Sequence, residues 1–447
     1  MLAAKARVTV VAFYNTDIGE VRFSLMDGHN FGLVSAVLSW NRHSRRITEL
    51  ARRYFGVCTG EYFDDHCTVE PVWAGRSGKR VLHMLYEWMG VPLAGGAKDV
   101  DFALSNPFLG VISDFTSYVQ RECIIMRSKP MRVARLVLQA QAFLDEGEMQ
   151  SAPGLSFVGK LEYTAISAGS HRVGRAAISA LRSYLHARLR GEGPSMWPLA
   201  AEALAFFMVI LRRLPPRKYW VRERRAPPII LYTDAMYVAN QKGREVCHVG
   251  VAFYDPEPNA VRVDGRLERP APGWMHADGP VPEEQLRAWD DKEQKIMRAE
   301  AIAPLAVIRA LPERFRDRDV VHFEDNTGAL FAYARGSSKD VPTARMVHMF
   351  HAYCAALGTR VWFEYVPSGA NLADQPSRGE FDLLRELGSE SFELDWPDAT
   401  DSWLEAVDDA FRRYAAASTR MERRWRGEIE EAIETVRAWA ARDGVTP

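Results

Sequence analysis

The chain has 447 residues, enough for two to four domains with cores of ordinary size. Its makeup, 47% hydrophobic and 26% charged, is that of a folded, water-facing protein and excludes a disordered or fibrous one. A net charge of −1 excludes a global field that would draw in nucleic acid, so any such attraction has to come from local patches.

The first element is a β-hairpin in "RVTVVAFYNTDIGEVRFSL", turning at Asn15 to Gly19 between two β-rich runs. "FGLVSAVLSWNRHSRRITELARRYFG" has helical spacing and a basic face. "GVCTGEYFDDHCTVEP" reads as a second hairpin, with Asp64 and Asp65 behind an aromatic pair. By itself it is either a metal-holding hairpin or an ordinary acidic turn. "VLHMLYEWMGV" is helical, and a strand lies near "PFLGVISDF", Pro107 to Phe115. "GRSGK" lacks the spacing of a phosphate-binding loop and is read as a turn. From Met131 to Arg213 apolar residues recur at three- and four-residue steps, as in "MRVARLVLQAQAFLDEG" and "RVGRAAISALRSYLHARLRG".

"LRRLPPRKYWVRERRAPP" then carries four prolines, which bar a continuous helix, and is read as a linker. Its seven basic residues against the single Glu223, interleaved with Tyr219 and Trp220, suit either a solvated connection or a strip along a phosphate backbone. Beyond it come the buried strand "PIILYTDAMY" and a hairpin in "EVCHVGVAFYDPEPNAVRVDGRL", turning at Asp255 to Asn259. An irregular acid-rich insert leads to the helix "MRAEAIAPLAVIRALPERF". The strand "DVVHFEDN", a helix from Thr327, the helix "TARMVHMFHAYCAALG", the strand "RVWFEYV" and the loop "PSGANLADQPSR" complete a mixed α/β sheet. An amphipathic helical tail follows.

The cysteines Cys58, Cys67, Cys123, Cys247 and Cys354 form no C-x-x-C pair, which points to a reducing, intracellular setting without a disulfide framework or zinc cluster. His66 and Cys67 are neighbours on a strand and face opposite ways, so they are not read as joint ligands with Cys58. The opening residues show no cleavage pattern for a secretory signal. The longest apolar stretch, "ALAFFMVIL", is about half the ~20 residues a membrane helix needs, so a soluble chain with no membrane partner is expected.

Four acids fall at the ends of expected elements: Asp234 after a strand, Glu300 early in a helix, Asp325 after a strand and Asp374 in the last loop. Acids at the ends of neighbouring strands converge at one edge of a sheet, and a helix crossing that edge adds another. Hard oxygen ligands of this kind suit Mg²⁺ or Mn²⁺. Two such ions, about 3.5–4 Å apart, activate a water and stabilise the leaving oxygen of a phosphodiester.

"LYTDA", "MRAEAIAPLAVIRAL", "HFEDNTGALFAYARG" and "WFEYVPSGANLADQPSR" resemble, in order, the four catalytic blocks of retroelement ribonuclease H domains of the DIRS and gypsy type. The resemblance implies that Asp234, Glu300, Asp325 and Asp374 are catalytic and hold Mg²⁺ or Mn²⁺. It sets Asn326 and Asn371 as supporting positions on the nucleic-acid side. The substrate it implies is an RNA–DNA hybrid, with Arg172, Arg175, Arg212, Arg213, Arg217, Lys218 and Arg222 as phosphate contacts. Two departures stand out. Pro304 falls in the first turns of the Glu300 helix, and "VPSGAN" lacks the histidine of cellular ribonucleases H, so no product-release residue is assigned.

"EYFDDHC" resembles the Y-x-D-D box of reverse transcriptases, in which Asp64 and Asp65 would hold metal; "FGLVSAVLSWNR", "NPFLGV" and "GKLEYTAISAGSHRVGRAAI" resemble segments around that box. The palm is expected to be incomplete, since neither Asp17 nor Asp27 sits where a further palm aspartate is needed, and no sequence builds the fingers. The expected organisation is a partial palm over 1–130, a helical thumb or connection over 131–213 and a basic linker over 214–228. A ribonuclease H-like domain with a mixed five-stranded sheet spans 229–385, and a helical tail 386–447. The expected function is hydrolysis of RNA in hybrids, within a retroelement polyprotein that associates with other retroelement proteins. The alternatives are RNA-directed DNA polymerisation, if another segment supplies the missing aspartate, and an inactive nucleic-acid-binding remnant.

Overall fold

The structure, a computed structural model, describes residues 9–26, 34–74, 76–93, 99–168, 172–221, 226–239, 245–259, 261–263, 266–289, 295–398, 403–414 and 420–443. The chain divides into two units, residues 1–108 and 109–447.

In the first unit, β1 (Thr9–Asn15) and β2 (Glu20–Met26) form the expected hairpin, paired from Thr9 with Met26 to Asn15 with Glu20. Gly19 sits at φ 66°, a left-handed conformation that glycine adopts without strain. The helix α1 (Val34–Phe55) leads into β3 (Thr59–Tyr62) and β4 (Asp65–Thr68), an antiparallel pair closed by Phe63 and Asp64. α2 (Ser77–Trp88) and β5 (Ser105–Phe108) complete the unit. α1 buries Ser44, Ile47, Thr48 and Ala51, the i, i+3, i+4 and i+7 positions of one helical stripe. Ile47 and Ala51 pack with Val57, Leu82, Leu85 and Tyr86 in a small core.

The second unit begins with β6 (Val111–Asp114), α3 (Tyr118–Arg121) and β7 (Cys123–Ser128). The single strand expected over 107–115 breaks at Leu109 and Gly110, both at positive φ (50° and 83°), where the chain must turn. Helices α4 (Pro130–Glu146), α5 (Ser151–Ala168), α6 (Arg175–Leu189) and α7 (Gly193–Arg213) fill the stretch where helical spacing was read. α7 is long and apolar enough to cross a membrane; in the structure its Ala200, Ala203, Leu204, Phe206, Phe207 and Ile210 are buried in the helical core.

Pro215 and Pro216 end α7, but the expected linker is not open chain. β8 (Arg217–Trp220) pairs with β7, Cys123 opposite Trp220 and Met126 opposite Arg217. The long-stemmed and aromatic side chains of this run suit a half-buried sheet edge.

The main sheet follows: β9 (Ile229–Ala239), β10 (Glu245–Asp255), the short β11 (Val261–Val263) and β12 (Arg266–Glu268), and β13 (Gly273–Pro280). Then come α8 (Glu283–Ala288), α9 (Ile296–Ala310), α10 (Pro312–Phe315), β14 (Asp319–Glu324), α11 (Thr327–Arg335), α12 (Val341–Leu357) and β15 (Arg360–Tyr365). α13 (Asp374–Ser377), α14 (Asp382–Glu386), β16 (Glu390–Ser391), α15 (Trp403–Tyr414) and α16 (Arg420–Asp443) end the chain. The strand order is β15-β14-β9-β10-β13-β16. β9, β10 and β13 are antiparallel neighbours, whereas β14 and β15 run parallel to β9. The architecture is thus α+β around a mixed sheet, with the two-residue β16 added to the five strands expected.

One strand lies elsewhere than expected. Beyond the turn at Asp255, the partner of β10 is β13, Asp255 opposite Gly273, inside the stretch read as an irregular insert. Pro256 and Pro258 lack the N–H groups that an immediate return strand needs. Pro304 also lies deeper than expected. α9 starts at Ile296 and runs through Pro304, whose missing N–H would otherwise bond the carbonyl of Glu300. α9 is buried continuously from Arg298 to Arg309, so packing holds it together despite the lost bond.

α16 belongs to the helical core: Ile429 and Ile433 are fully buried there, beside Trp425 and Val436. Ile433→Ala is expected to destabilise the second unit by about 2–5 kcal/mol in urea unfolding. Glu434→Ala, at an exposed neighbour, should stay within about 0.5 kcal/mol of wild type. An unshifted midpoint for the first variant would place α16 outside the core.

Candidate metal centre

Successive residues on β9 point to opposite sides of the sheet, so Thr233 and Asp234 serve different faces. β14 runs parallel to β9 with Phe323 opposite Tyr232, which brings Asp325, just past the end of β14, level with Asp234. Glu300, in the second turn of α9, accepts a hydrogen bond from the N–H of Ala235. Oxygens of Asp234, Glu300 and Asp325 lie within 4.8 Å of one another. Three of the four expected acids therefore meet, though 66 and 25 residues separate them in the sequence.

The electrostatics are those of a site short of positive charge, with Arg378 a minor favourable charge on Asp234. Burial, with Asp325 and Asp374 adding repulsion against a favourable bond from Ser377, pushes the carboxyl of Asp234 up to about 6. Burial, followed by the charges of Glu324, Asp234 and Asp325, raises Glu300 well above the usual glutamate range. Glu300 Oε2 is buried and has no hydrogen-bond partner among the described residues. Among the described residues, no lysine or arginine forms an ion pair with Asp234, Glu300 or Asp325. Oxygen donors of this number and charge fit a hard divalent cation, which would neutralise the cluster and engage the orphaned oxygen.

Asp374 stands at the rim. It opens α13, and its Oδ1 accepts from Arg378 Nη2 at 2.7 Å. The link between it and the trio is Ser377, whose hydroxyl donates to Asp234 Oδ2 at 2.5 Å and lies 2.9 Å from the carbonyl of Asp374. α13 comes this close only because residue 250, opposite Asp234 on β10, is glycine. A Cβ there would lie 2.1 Å from the Ser377 nitrogen and 2.4 Å from the Ala373 carbonyl.

Asn326 and Asn371 make their hydrogen bonds within the chain. Asn326 caps α11, its Oδ1 accepting from the N–H groups of Gly328 and Ala329. Asn371 Nδ2 donates to the Thr233 carbonyl at 2.9 Å, and its Oδ1 accepts from Ala373 N–H, which pins the last loop to β9.

The sequence reading missed Glu324. It is fully buried, accepts from Asn326 N–H at 3.1 Å and from the Thr233 hydroxyl at 3.2 Å, and burial raises its pKa. The signal was strand alternation: Val320, His322 and Glu324 share the buried face of β14. Ser377 was missed as well, lying beyond the acid on which the last motif centres.

The other expected site residues are placed elsewhere. Asp64 and Asp65 are both exposed on the β3–β4 hairpin, and among the described residues no further acid joins them in a metal-binding group. Asp17 is exposed in the β1–β2 turn, and Asp27 and Arg222 lie outside the described residues. Most of the expected phosphate contacts are engaged within the chain. Arg172 donates to the Val361 carbonyl at 3.1 Å and lies over the Phe363 ring. Arg212 lies 3.6 Å from Glu430, Arg213 pairs with Asp408, and Lys218 lies 3.6 Å from Glu422. Arg217 stacks on Tyr219, and Arg175 is exposed at the start of α6.

The raised pKa of Asp234 has a thermodynamic consequence. Its contribution to stability is complete below the ordinary aspartate range and is lost as pH rises through about 6. The full effect is on the order of 3 kcal/mol. With chelator present, the melting temperature should fall between about pH 5 and about pH 7.5, and Asp234→Asn should flatten that fall. Mg²⁺ or Mn²⁺ should restore stability chiefly at the higher pH. A melting temperature that rises across this range in chelator, equally in both proteins, would contradict the buried-acid account.

No protein-family model matches the chain, and no curated protein matches it.

Proposed function

We propose that the second unit is a ribonuclease H-like, metal-dependent phosphodiesterase that hydrolyses the RNA strand of RNA–DNA hybrids, within a fragment of an intracellular retroelement polyprotein. The observation that carries the reading is the meeting of Asp234, Glu300 and Asp325 within 4.8 Å, from β9, α9 and the end of β14. Further support comes from the succession of strand, antiparallel partners, helix, strand, two helices, strand and a final acid, in the order of the four motifs.

Asp234, Glu300 and Asp325 would hold Mg²⁺ or Mn²⁺, with Asp374 at the rim. When bound, such an ion supplies an activated water and charge stabilisation for the leaving oxygen. The chain's own residues set the frame for that chemistry. Ser377 fixes the orientation of one Asp234 oxygen. Ala235 N–H holds the Glu300 carboxylate, and Asn371 ties the Asp374 loop to the strand that bears Asp234.

With Mg²⁺, the purified chain is expected to cut the RNA of a labelled hybrid. Asp234→Asn and Glu300→Gln should abolish cleavage, and Ser377→Ala, which removes only an orienting bond, should lower it about 10–100-fold. Equal cleavage by wild type and both acid variants would assign the activity to a contaminant or another site.

A further inference from the structure

We propose that the exposed face of α1, in the first unit, is a binding surface for the phosphodiester backbone of a polynucleotide. Arg42, Arg45, Arg46, Arg52 and Arg53, with Glu49 between the two groups, lie along one stripe at three- and four-residue steps, opposite the stripe of Ser44, Ile47, Thr48 and Ala51 buried in the core. Glu49 is the only acid in the helix. It lies 2.9 Å from Arg53 and 3.8 Å from Arg52, while Arg52 Nε donates to the Thr59 carbonyl at the base of the β3–β4 hairpin. Arg42, Arg45 and Arg46 are exposed and form no ion pair with any described residue.

The contrast with the basic run around β8 selects this face. There Arg212, Arg213 and Lys218 are matched by Glu430, Asp408 and Glu422. On α1 three arginines within five residues form no ion pair among the described residues. The three span about 6 Å along the helix, and the stripe out to Arg53 about 17 Å, against phosphates that repeat about every 3.4 Å along a duplex strand. Arginine suits this partner because its planar fork makes paired bonds to phosphate oxygens. Tyr54, at the end of α1, and Tyr62 and Phe63, at the hairpin tip, are 77%, 53% and 41% exposed and offer rings for bases to stack on. An anionic membrane is the weaker fit. A helix lying on lipid inserts its apolar face, and the Ile47 and Ala51 side of α1 is already buried with Leu82, Leu85 and Tyr86 of α2.

The inference does not rest on the nuclease reading, and its test runs without metal. Binding of the full chain to a labelled single-stranded oligonucleotide and to a hybrid is followed by fluorescence anisotropy in chelator, across a salt series. The R42Q/R45Q/R46Q variant should bind at least tenfold more weakly at moderate salt, and the single-strand log–log salt slope should fall by about 2. R42K/R45K/R46K, which keeps the charge, should retain most of the binding. Unchanged affinity and slope in the glutamine variant would overturn the proposal. So would wild-type binding to phosphatidylserine vesicles but to neither nucleic acid.

Discussion

Repulsion among buried carboxylates organises the second unit. Asp234, Glu300 and Glu324 are each less than one-tenth exposed, and Asp325 shares their space. In a low-dielectric interior, like charges this close cannot all remain ionised without a counter-charge. The chain supplies hydrogen bonds instead, from Ala235 and Asn326 N–H groups and from the hydroxyls of Thr233 and Ser377. Each is a neutral donor, and together they orient the carboxylates without cancelling their charge. What remains to be satisfied is charge, which either protons or a divalent cation can supply.

Holding such a cluster requires close approach of backbone elements, and the sequence around it is shaped accordingly. Gly250 leaves the space into which Ser377 and Ala373 settle, so the loop carrying Asp374 rests directly on β10. Asn371 fixes the other end of that loop to β9. On the opposite face, α9 keeps its course through Pro304 because nearly every side chain along it is packed. Deep packing on one face and a glycine on the other fix the acids from both directions.

How much of this could be read from the sequence follows from how local each determinant is. The hairpin at Asn15 to Gly19, the helices between Pro130 and Arg213 and the strands bearing Asp234 and Glu324 announce themselves through turn residues and periodicity. β13 did not, because "GWMHADGP" has no β-branched residue and two glycines, and becomes a strand only through its pairing with β10. The site shows the same division. Asp234, Glu300 and Asp325 stand out as acids at element ends. Glu324 adjoins an acid at the strand's end, and only the alternation along β14 marks it as buried. Ser377 acts through a tertiary contact across 143 residues, which no local pattern encodes.

The distribution of arginine makes the same point about charge. A count along the sequence marks 212–225 as the basic region, since counts cannot see what packs against it. In the fold, α15 and α16 bring Asp408, Glu422 and Glu430 to that run, and Glu428 pairs with Arg127 at 2.5 Å. The C-terminal helices thereby bury apolar side chains in the bundle and balance its basic rim with their polar faces. A helix that has no such partner keeps its field. α1 presents its arginines to solvent because its only burial is on the far side, so an unremarkable tally of charge can still leave one strongly positive line on the surface.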